Sequence, residues 1–467
     1  MKCRSEEAAP FRAHGVKGIM LAKLKLGIPL LFLLLPVLAS AQVIAPGEVL
    51  TLSAAVDIAL KAQPSVMAGS YTVKANEATI GQARSVYYPQ MSATAAYSRV
   101  NSATSGTRGP TIGTATPGAS TVSSGTNAAG GSVGPYDLYT GSAGVSQMIY
   151  DFGRTSSQVR INTLTTQSSR YDLASTQNTV VLNVKQAYYA ALQAERNLNA
   201  SRQAVKQLQE HLDQAGSMFA IGTKTRFDVT QAEVNLSNAK LTLIQAENQV
   251  RLTRVNLNNA IAVPDARDYR LEDVLLYEKF DLSLDEALKT AYERRPDLQS
   301  IIRKKRAVGQ SVTLAREGYL PQLNANATYY YTGTAFPLQN GWSYGLNLSI
   351  PIFSGFLTRY QVQQAQANLG VADANERALR LTIFSQVQQD FLNLRASAES
   401  IAASSVAVRQ ARDNVELATG RYQNGVGIAL DVIDAIVIQL NTEVAYTQAL
   451  ASYKNAQAAI ENDMGMR

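Results

Sequence analysis

Phe219-Ala-Ile-Gly222…Asp228-Val229-Thr-Gln-Ala232 in the middle of the chain returns near its end as Tyr422-Gln-Asn-Gly425…Asp431-Val432-Ile-Asp-Ala435. The aromatic, the glycine and the aspartate are each displaced by the same 203 positions. An internal duplication sets the architecture before any local motif is considered. It extends upstream. Leu52-Ser53…Ala59-Leu60-Lys61 resembles Leu282-Ser283…Ala287-Leu288-Lys289, Pro64 pairs with Pro296, and Tyr88-Pro89-Gln90 pairs with Leu320-Pro321-Gln322. Pro89 and Pro321 stand 232 positions apart, so the first copy carries 29 extra residues before its second half. Ser102 to Pro135 supplies them. This stretch is rich in Gly, Ser, Thr and Ala and almost free of large apolar residues, which predicts a long loop.

The first 41 residues read as an N-terminal extension and an export signal. Lys23 and Lys25 precede the apolar run Leu26 to Leu38, and Ala39-Ser40-Ala41 fits a cleavage site, with Met20 as a natural start. The single cysteine, Cys3, falls in this segment, so the exported chain is expected to carry no disulfide. Removing six basic and two acidic residues with it lowers the formal charge from +7 to +3. No dense Lys/Arg stripe remains, so nucleic acid is not an expected partner. Arg303-Lys-Lys-Arg306 reads as a solvated helix face. After Ala41 no apolar run approaches a membrane-spanning helix, so any passage through a membrane must use a closed β-barrel.

The periodicity separates two kinds of element. Gly153 to Ala215 has no proline, and its apolar residues (Val180, Val184, Ala187, Tyr188, Ala191, Leu192) recur at steps of three and four. Asp228 to Ala262 continues as a second amphipathic helix, and Gly355 to Thr419 and Asp431 to Asp463 repeat the pair. Short glycine-bearing turns join each pair, with Asp228 and Asp431 placed as N-caps. Before each long helix the period changes to two. Tyr344, Leu346, Leu348 and Ile350 alternate with Gly345, Asn347 and Ser349, and Met91, Ala93, Ala95 and Tyr97 alternate with small polar residues. Alternation over about ten residues, with clustered aromatics, is what an outer-membrane barrel strand looks like. A half-buried soluble sheet alternates as well. Two hairpins give four strands, too few to close a barrel alone, so the chain must oligomerise to form one; three copies supply twelve, and other multiples are permitted. The predicted organisation is 1–41 extension and signal, 42–262 first repeat (strand hairpin about 90–149, helical hairpin 153–262), 263–282 linker, and 283–467 second repeat (strand hairpin about 322–352, helical hairpin 355–463).

In this order and duplication the motifs resemble the TolC family of outer-membrane efflux ducts over about Leu50 to Gly465. The residues that carry it are the Leu-x-x-Ala-Leu-x-x-x-Pro openings, Tyr87-Tyr88-Pro89-Gln90, Tyr319-Leu320-Pro321-Gln322, Tyr150-Asp-Phe-Gly153, Ile352-Phe-Ser-Gly355 and the two Phe/Tyr-x-x-Gly…Asp-Val turns. The resemblance implies an α+β membrane protein: a trimeric 12-stranded outer-membrane β-barrel continuous with a long periplasmic α-helical, coiled-coil barrel. The implied partners are a homotrimer, outer-membrane lipid, a periplasmic adaptor (membrane fusion protein) and an inner-membrane transporter of RND, ABC or MFS type. The two helix–helix turns would form the periplasmic entrance. Asp431 and Asp434 match the family's constricting aspartates, one helical turn apart, and a ring of carboxylates favours cations. Asp228 and Tyr422 match entrance positions too, whereas Gln231 stands where the first copy would have its second aspartate. The family often has an arginine two residues after the second-turn glycine; here that residue is Gly427, and the basic residues Lys224 and Arg226 lie in the first turn instead. Gly222, Thr223, Gly425 and Val426 match the tips offered to adaptors.

No reaction chemistry emerges beside this. Asp151-Phe152-Gly153 lacks the other kinase motifs, and Gly222-Thr-Lys-Thr225 lacks the first glycine of a P-loop. His211, the one histidine after the signal, reads as a surface or interface residue, so neither a zinc site, a catalytic triad nor any cofactor is expected. The expectation is a passive conduit rather than an enzyme. The alternative is a non-channel, secreted coiled-coil protein of the cell envelope.

Overall fold

The computed structural model describes residues 47–100, 135–264 and 269–466. The expected export signal, and all of the expected loop except Pro135, lie outside these residues. The first repeat runs β1 (Val49–Leu50), α1 (Leu52–Ala62), α2 (Pro64–Arg84), β2 (Gln90–Val100), β3 (Tyr136–Tyr150), α3 (Arg154–Ala220) and α4 (Arg226–Ala260). The second runs β4 (Arg270–Leu271), α5 (Leu284–Arg294), α6 (Pro296–Arg316), β5 (Gln322–Gly333), β6 (Gln339–Ser349), α7 (Leu357–Gln423) and α8 (Ala429–Asp463). Helices of 11, 21, 67 and 35 residues recur in that order in both repeats. At 1.5 Å per residue each longest helix extends roughly 100 Å.

Local chemistry explains the boundaries. Thr51 Oγ1 accepts the Ala54 N–H and starts α1, while Pro64 and Pro296 occupy the first position of α2 and α6, where a missing N–H costs nothing. Ser283 and Glu286 close a capping box on α5. Asp151-Phe152-Gly153 is a helix entrance. The Asp151 carboxylate accepts the N–H groups of Gly153 (3.1 Å) and Thr155 (2.6 Å), and Gly153 takes φ +105°. It is this φ that favours glycine; a Cβ there would also fall 2.9 Å from Glu317 Oε1, the movable end of a side chain.

The strands form one antiparallel sheet in the order β2-β3-β5-β6, with β3 against β5 joining the two repeats and a bulge at Met148/Tyr150. The register aligns one row across all four strands: Ala93, Ala143, Tyr329 and Trp342. The next row along is Met91, Val145, Ala327 and Tyr344. These two rows are apolar throughout, while Gln147 and Asn340 lie in the rows on either side of them. The opposite face carries Thr94 bonded to Ser142 at 2.8 Å, with Asn324, Asn326, Ser343 and Asn347. On the single chain the apolar side chains lie open: Trp342, Tyr344 and Leu346 are 68, 77 and 74 % exposed.

Beneath the sheet α2 lies on the first part of α3, and α4 returns along its second part; Thr166 Oγ1 donates to Asn76 O, and Arg254 pairs with Glu195. Helix α6 sits between α3 and α7. Of the run read as a solvated face, Lys304 and Arg306 are exposed, but three of its residues also make contacts between helices. Lys304 pairs with Asp172 at 3.0 Å, Lys305 with Asp373 and Glu376 at 2.7 and 2.9 Å, and Arg303 lies over the Tyr171 ring. Helix α8 bridges α7 and α3 through Arg412–Glu443 and Lys185–Glu461. Among the described residues no helix is long and apolar enough to cross a membrane.

The connection between repeats is packed into the core. Leu275 is fully buried and Tyr269 nearly so, and β4 pairs in parallel with β1. Tyr188 of α3, fully buried, places its hydroxyl 2.8 Å from Leu50 O and 2.9 Å from Glu272 O. Tyr453 of α8 donates to Glu278 O and accepts the Phe280 N–H, and Arg196 forms a bidentate pair with Asp273. The connection is therefore a strap that ties both repeats at mid-length. The main apolar core lies here, with Val184, Tyr188, Leu257, Leu298, Ile383 and Ile460.

Candidate functional site at the helix–helix turns

A second apolar cluster lies at the far end of the long helices, built from Leu208, Leu236, Tyr422, Val432, Ile433 and Ile436. It joins the turns of both repeats. Each turn ends its helix by the same geometry. Gly222 N–H donates to Phe219 O and Thr223 N–H to Met218 O; Gly425 N–H donates to Tyr422 O and Val426 N–H to Arg421 O. These are Schellman closures, and Gly222 and Gly425 take the positive φ they require (+80° and +76°). The 203-residue repeat thus encodes a shared helix stop.

The helix starts correct the sequence reading. Asp228 is not the N-cap. Thr225 caps α4, and Asp228, three residues on, returns its carboxylate to the Thr225 N–H (2.9 Å) and hydroxyl (2.8 Å). These bonds, with Lys224 and His211 nearby, hold the Asp228 carboxyl below its ordinary range. The Thr-x-x-Asp pattern was the signal that could have shown this. Asp431 is likewise in the first turn of α8, whose capping position is Ile428 and has no side-chain bond. Asp431 and Asp434 are both exposed on the side of α8 away from the buried Val432, Ile433, Ala435 and Ile436.

Lys224 crosses between the repeats. Its Nζ lies 3.3 Å from Gly427 O and 4.6 Å from the centre of the Tyr422 ring, which is fully buried. Gly427 also donates its N–H to Arg421 O, and a Cβ at this position would sit 2.9 Å from Tyr422 N. A side chain there would meet backbone, and the cation beside Gly427 is Lys224 of the other turn. Arg226 is exposed at the start of α4 and does not join the contact made by Lys224. His211, expected at the surface or at an interface, is at an interface between the two repeats. It is not a surface residue but 3 % exposed, with its ring 4.9 Å from that of Tyr422. Thr223 and Val426 stand at the outermost turns beside exposed Ile221, Phe227 and Ile428, which form an apolar rim.

An apolar-faced sheet at one end, helices of roughly 100 Å, and a cluster of turns at the other match one class, the proteins of the bacterial outer membrane that reach into the periplasm, and the comparisons with known proteins place the chain there. The chain belongs to the outer membrane efflux protein family, whose profile matches residues 55–263 and 287–466. It is 25% identical to outer membrane protein TolC of Escherichia coli over 312 residues, 62% of this chain and 62% of that protein. The chain thus matches less than two thirds of that relative's length. It is 24% identical to protein CyaE of Bordetella pertussis over 401 residues, 83% of this chain and 78% of CyaE. In structure it is similar to the outer membrane protein VceC of Vibrio cholerae, with a TM-score of 0.72 and 17% identity over 89% of this chain and 96% of that one.

Proposed function

We propose that this chain is the exit duct of a tripartite efflux or type I secretion system. It conducts substrates passively from an inner-membrane transporter through the periplasm and the outer membrane. Three copies close a 12-stranded barrel from their four-stranded sheets, and the helices beneath form one tube. The tips, with Gly222, Thr223, Gly425 and Val426 outermost, receive a periplasmic adaptor. The observation that carries this reading is the meeting of both repeats' turns at one end of the long helices, with Lys224 locking one to the other. Such a contact is suited to a closure that opens by separating helices. Exposed apolar residues on α4 (Leu241, Ile244, Val255) and α7 (Leu381, Leu417) support neighbouring copies at both edges.

Asp431 and Asp434 would then ring the entrance. Replacing both by Ala is expected to weaken cation preference and raise single-channel conductance in planar bilayers. Unchanged conductance and selectivity would remove both residues from the entrance.

The barrel reading has its own test. Leu346 stands on the apolar face and is 74 % exposed. Leu346→Arg is expected to cost about 2–4 kcal/mol near the bilayer midplane, and less towards an interface. Assembled protein in outer-membrane fractions should fall, while Asn347→Arg on the other face is tolerated. Equal yields of the two variants would exclude a lipid-facing Leu346.

A further inference from the structure

His211 is the one buried group at the tip that the duct reading leaves without a role. It lies on α3, 3 % exposed, against Tyr422 of α7 with ring centres 4.9 Å apart. Neither imidazole nitrogen has a hydrogen-bond partner, nor does the Tyr422 hydroxyl. An uncharged imidazole can rest in such a place as an aromatic filler. A charged one has nothing there to solvate it, and burying an unpaired charge is strongly unfavourable. The surroundings make this sharper. Lys224 already sets one cation against the Tyr422 ring, at 4.6 Å. Helix α8 contributes Val432, Ile433 and Ile436 to the cluster, while its Asp431 and Asp434 are exposed. Glu210 and Asp213 on α3, and Arg421 on α7, are exposed as well. The carboxylate that faces the cluster is Asp228 of α4, and it is held by the Thr225 N–H and hydroxyl. Both of those bonds go to its Oδ2, so the capping box fixes where this carboxylate stands, and it favours the charged imidazole against the larger effect of burial.

We propose that His211 is an acid-operated release for the tip: uncharged, it holds Tyr422 in the closed packing, and charged, it drives the turns apart. This rests on the reading of the tips as the entrance. Protons are the ligand. The direction follows from burial, which pushes the imidazole below its ordinary value of 6.5, with Asp228 pulling weakly the other way. A depressed imidazole contributes closed-state stability that is complete above about pH 6.5 and is lost as pH falls below it.

The test uses the full-length assembled protein in planar bilayers at about pH 7.5 and about pH 5.5, comparing wild type with His211→Phe and His211→Gln. On acidification the wild-type balance between closed and open tips is expected to move towards open by up to roughly tenfold per chain, read as a rise in mean conductance, because one proton taken up only by the open tip moves that balance by at most about tenfold for each step of one in pH below about 6.5. The variants should rise by less than about twofold, since they lack the titrating ring. The same response in wild type and both variants, or a fall in wild type, overturns the proposal. His211→Gln answers the question if Phe impairs assembly, which a native gel reports. Lys224→Met and the Asp431/Asp434 double variant are measured alongside. If these raise conductance while His211 variants respond to acid as wild type does, only the release role falls. If neither changes conductance, the entrance reading falls with it.

Discussion

Lys224→Met is expected to open the entrance more than any other single substitution at the tip. Lys224 makes two contacts across the repeats: 3.3 Å to Gly427 O and 4.6 Å to the Tyr422 ring centre. A partly desolvated cation–π contact and a charged hydrogen bond together contribute on the order of 2 kcal/mol per chain. Methionine keeps the length of the side chain and removes both contacts. Since 1.4 kcal/mol is about a factor of ten, the balance between closed and open tips should move by roughly 30-fold per chain. The readout is the mean single-channel conductance and the fraction of time spent in the higher state. Lys224→Arg should retain most of the closure. Placing the cation at its alternative position should not restore it, because Gly427→Arg meets Tyr422 N at 2.9 Å from its Cβ. A Lys224→Met channel with wild-type conductance would show that this bridge does not hold the tip closed.

Tyr188→Ala is expected to cause the largest loss of stability. Tyr188 is fully buried, and its hydroxyl lies between Leu50 O and Glu272 O, so one side chain ties α3 to both β1 and the strap. Removing a buried aromatic costs about 3–5 kcal/mol. Glu272 O then loses the hydroxyl, which adds to this, whereas Leu50 O keeps the Glu272 N–H at 3.3 Å. Tyr188→Phe keeps the ring and loses only the bond, for about 1–3 kcal/mol. The expected order of thermal midpoints is therefore wild type, then Phe, then Ala. Limited proteolysis should cut the strap between Tyr269 and Leu282 fastest in the Ala variant. A Phe variant as unstable as Ala would assign the effect to the hydroxyl; an Ala variant as stable as wild type would remove Tyr188 from the tie.

Much of the fold was legible because it is written in local spacing. The period of two along Tyr344, Leu346 and Leu348 marks a strand with one apolar face, and the observed register carries that face across all four strands. The three- and four-residue steps from Val180 to Leu192 mark a helix, although its end falls at Ala220 rather than Ala215. There is no proline or cap at Ala215; the positive-φ Gly222 is what stops the chain. The caps were misplaced by three residues because an aspartate looks the same at the N-cap and at the third helical position, and only the bonding partner tells them apart.

The 203-residue repeat by itself determined two helical hairpins, each ending in a glycine turn, because a Schellman closure needs only residues within six positions of one another. It could not determine what the turns do to each other. Lys224 reaches Gly427 across 203 residues, His211 meets Tyr422 across a similar distance, and the strap reaches both long helices. These meetings depend on the relative axial register of helices that each run roughly 100 Å, where a slip of one turn, about 5.4 Å, would separate every pair. That register is fixed by the buried cores at mid-length and tip, whose packing is a property of the folded chain and not of any stretch of it.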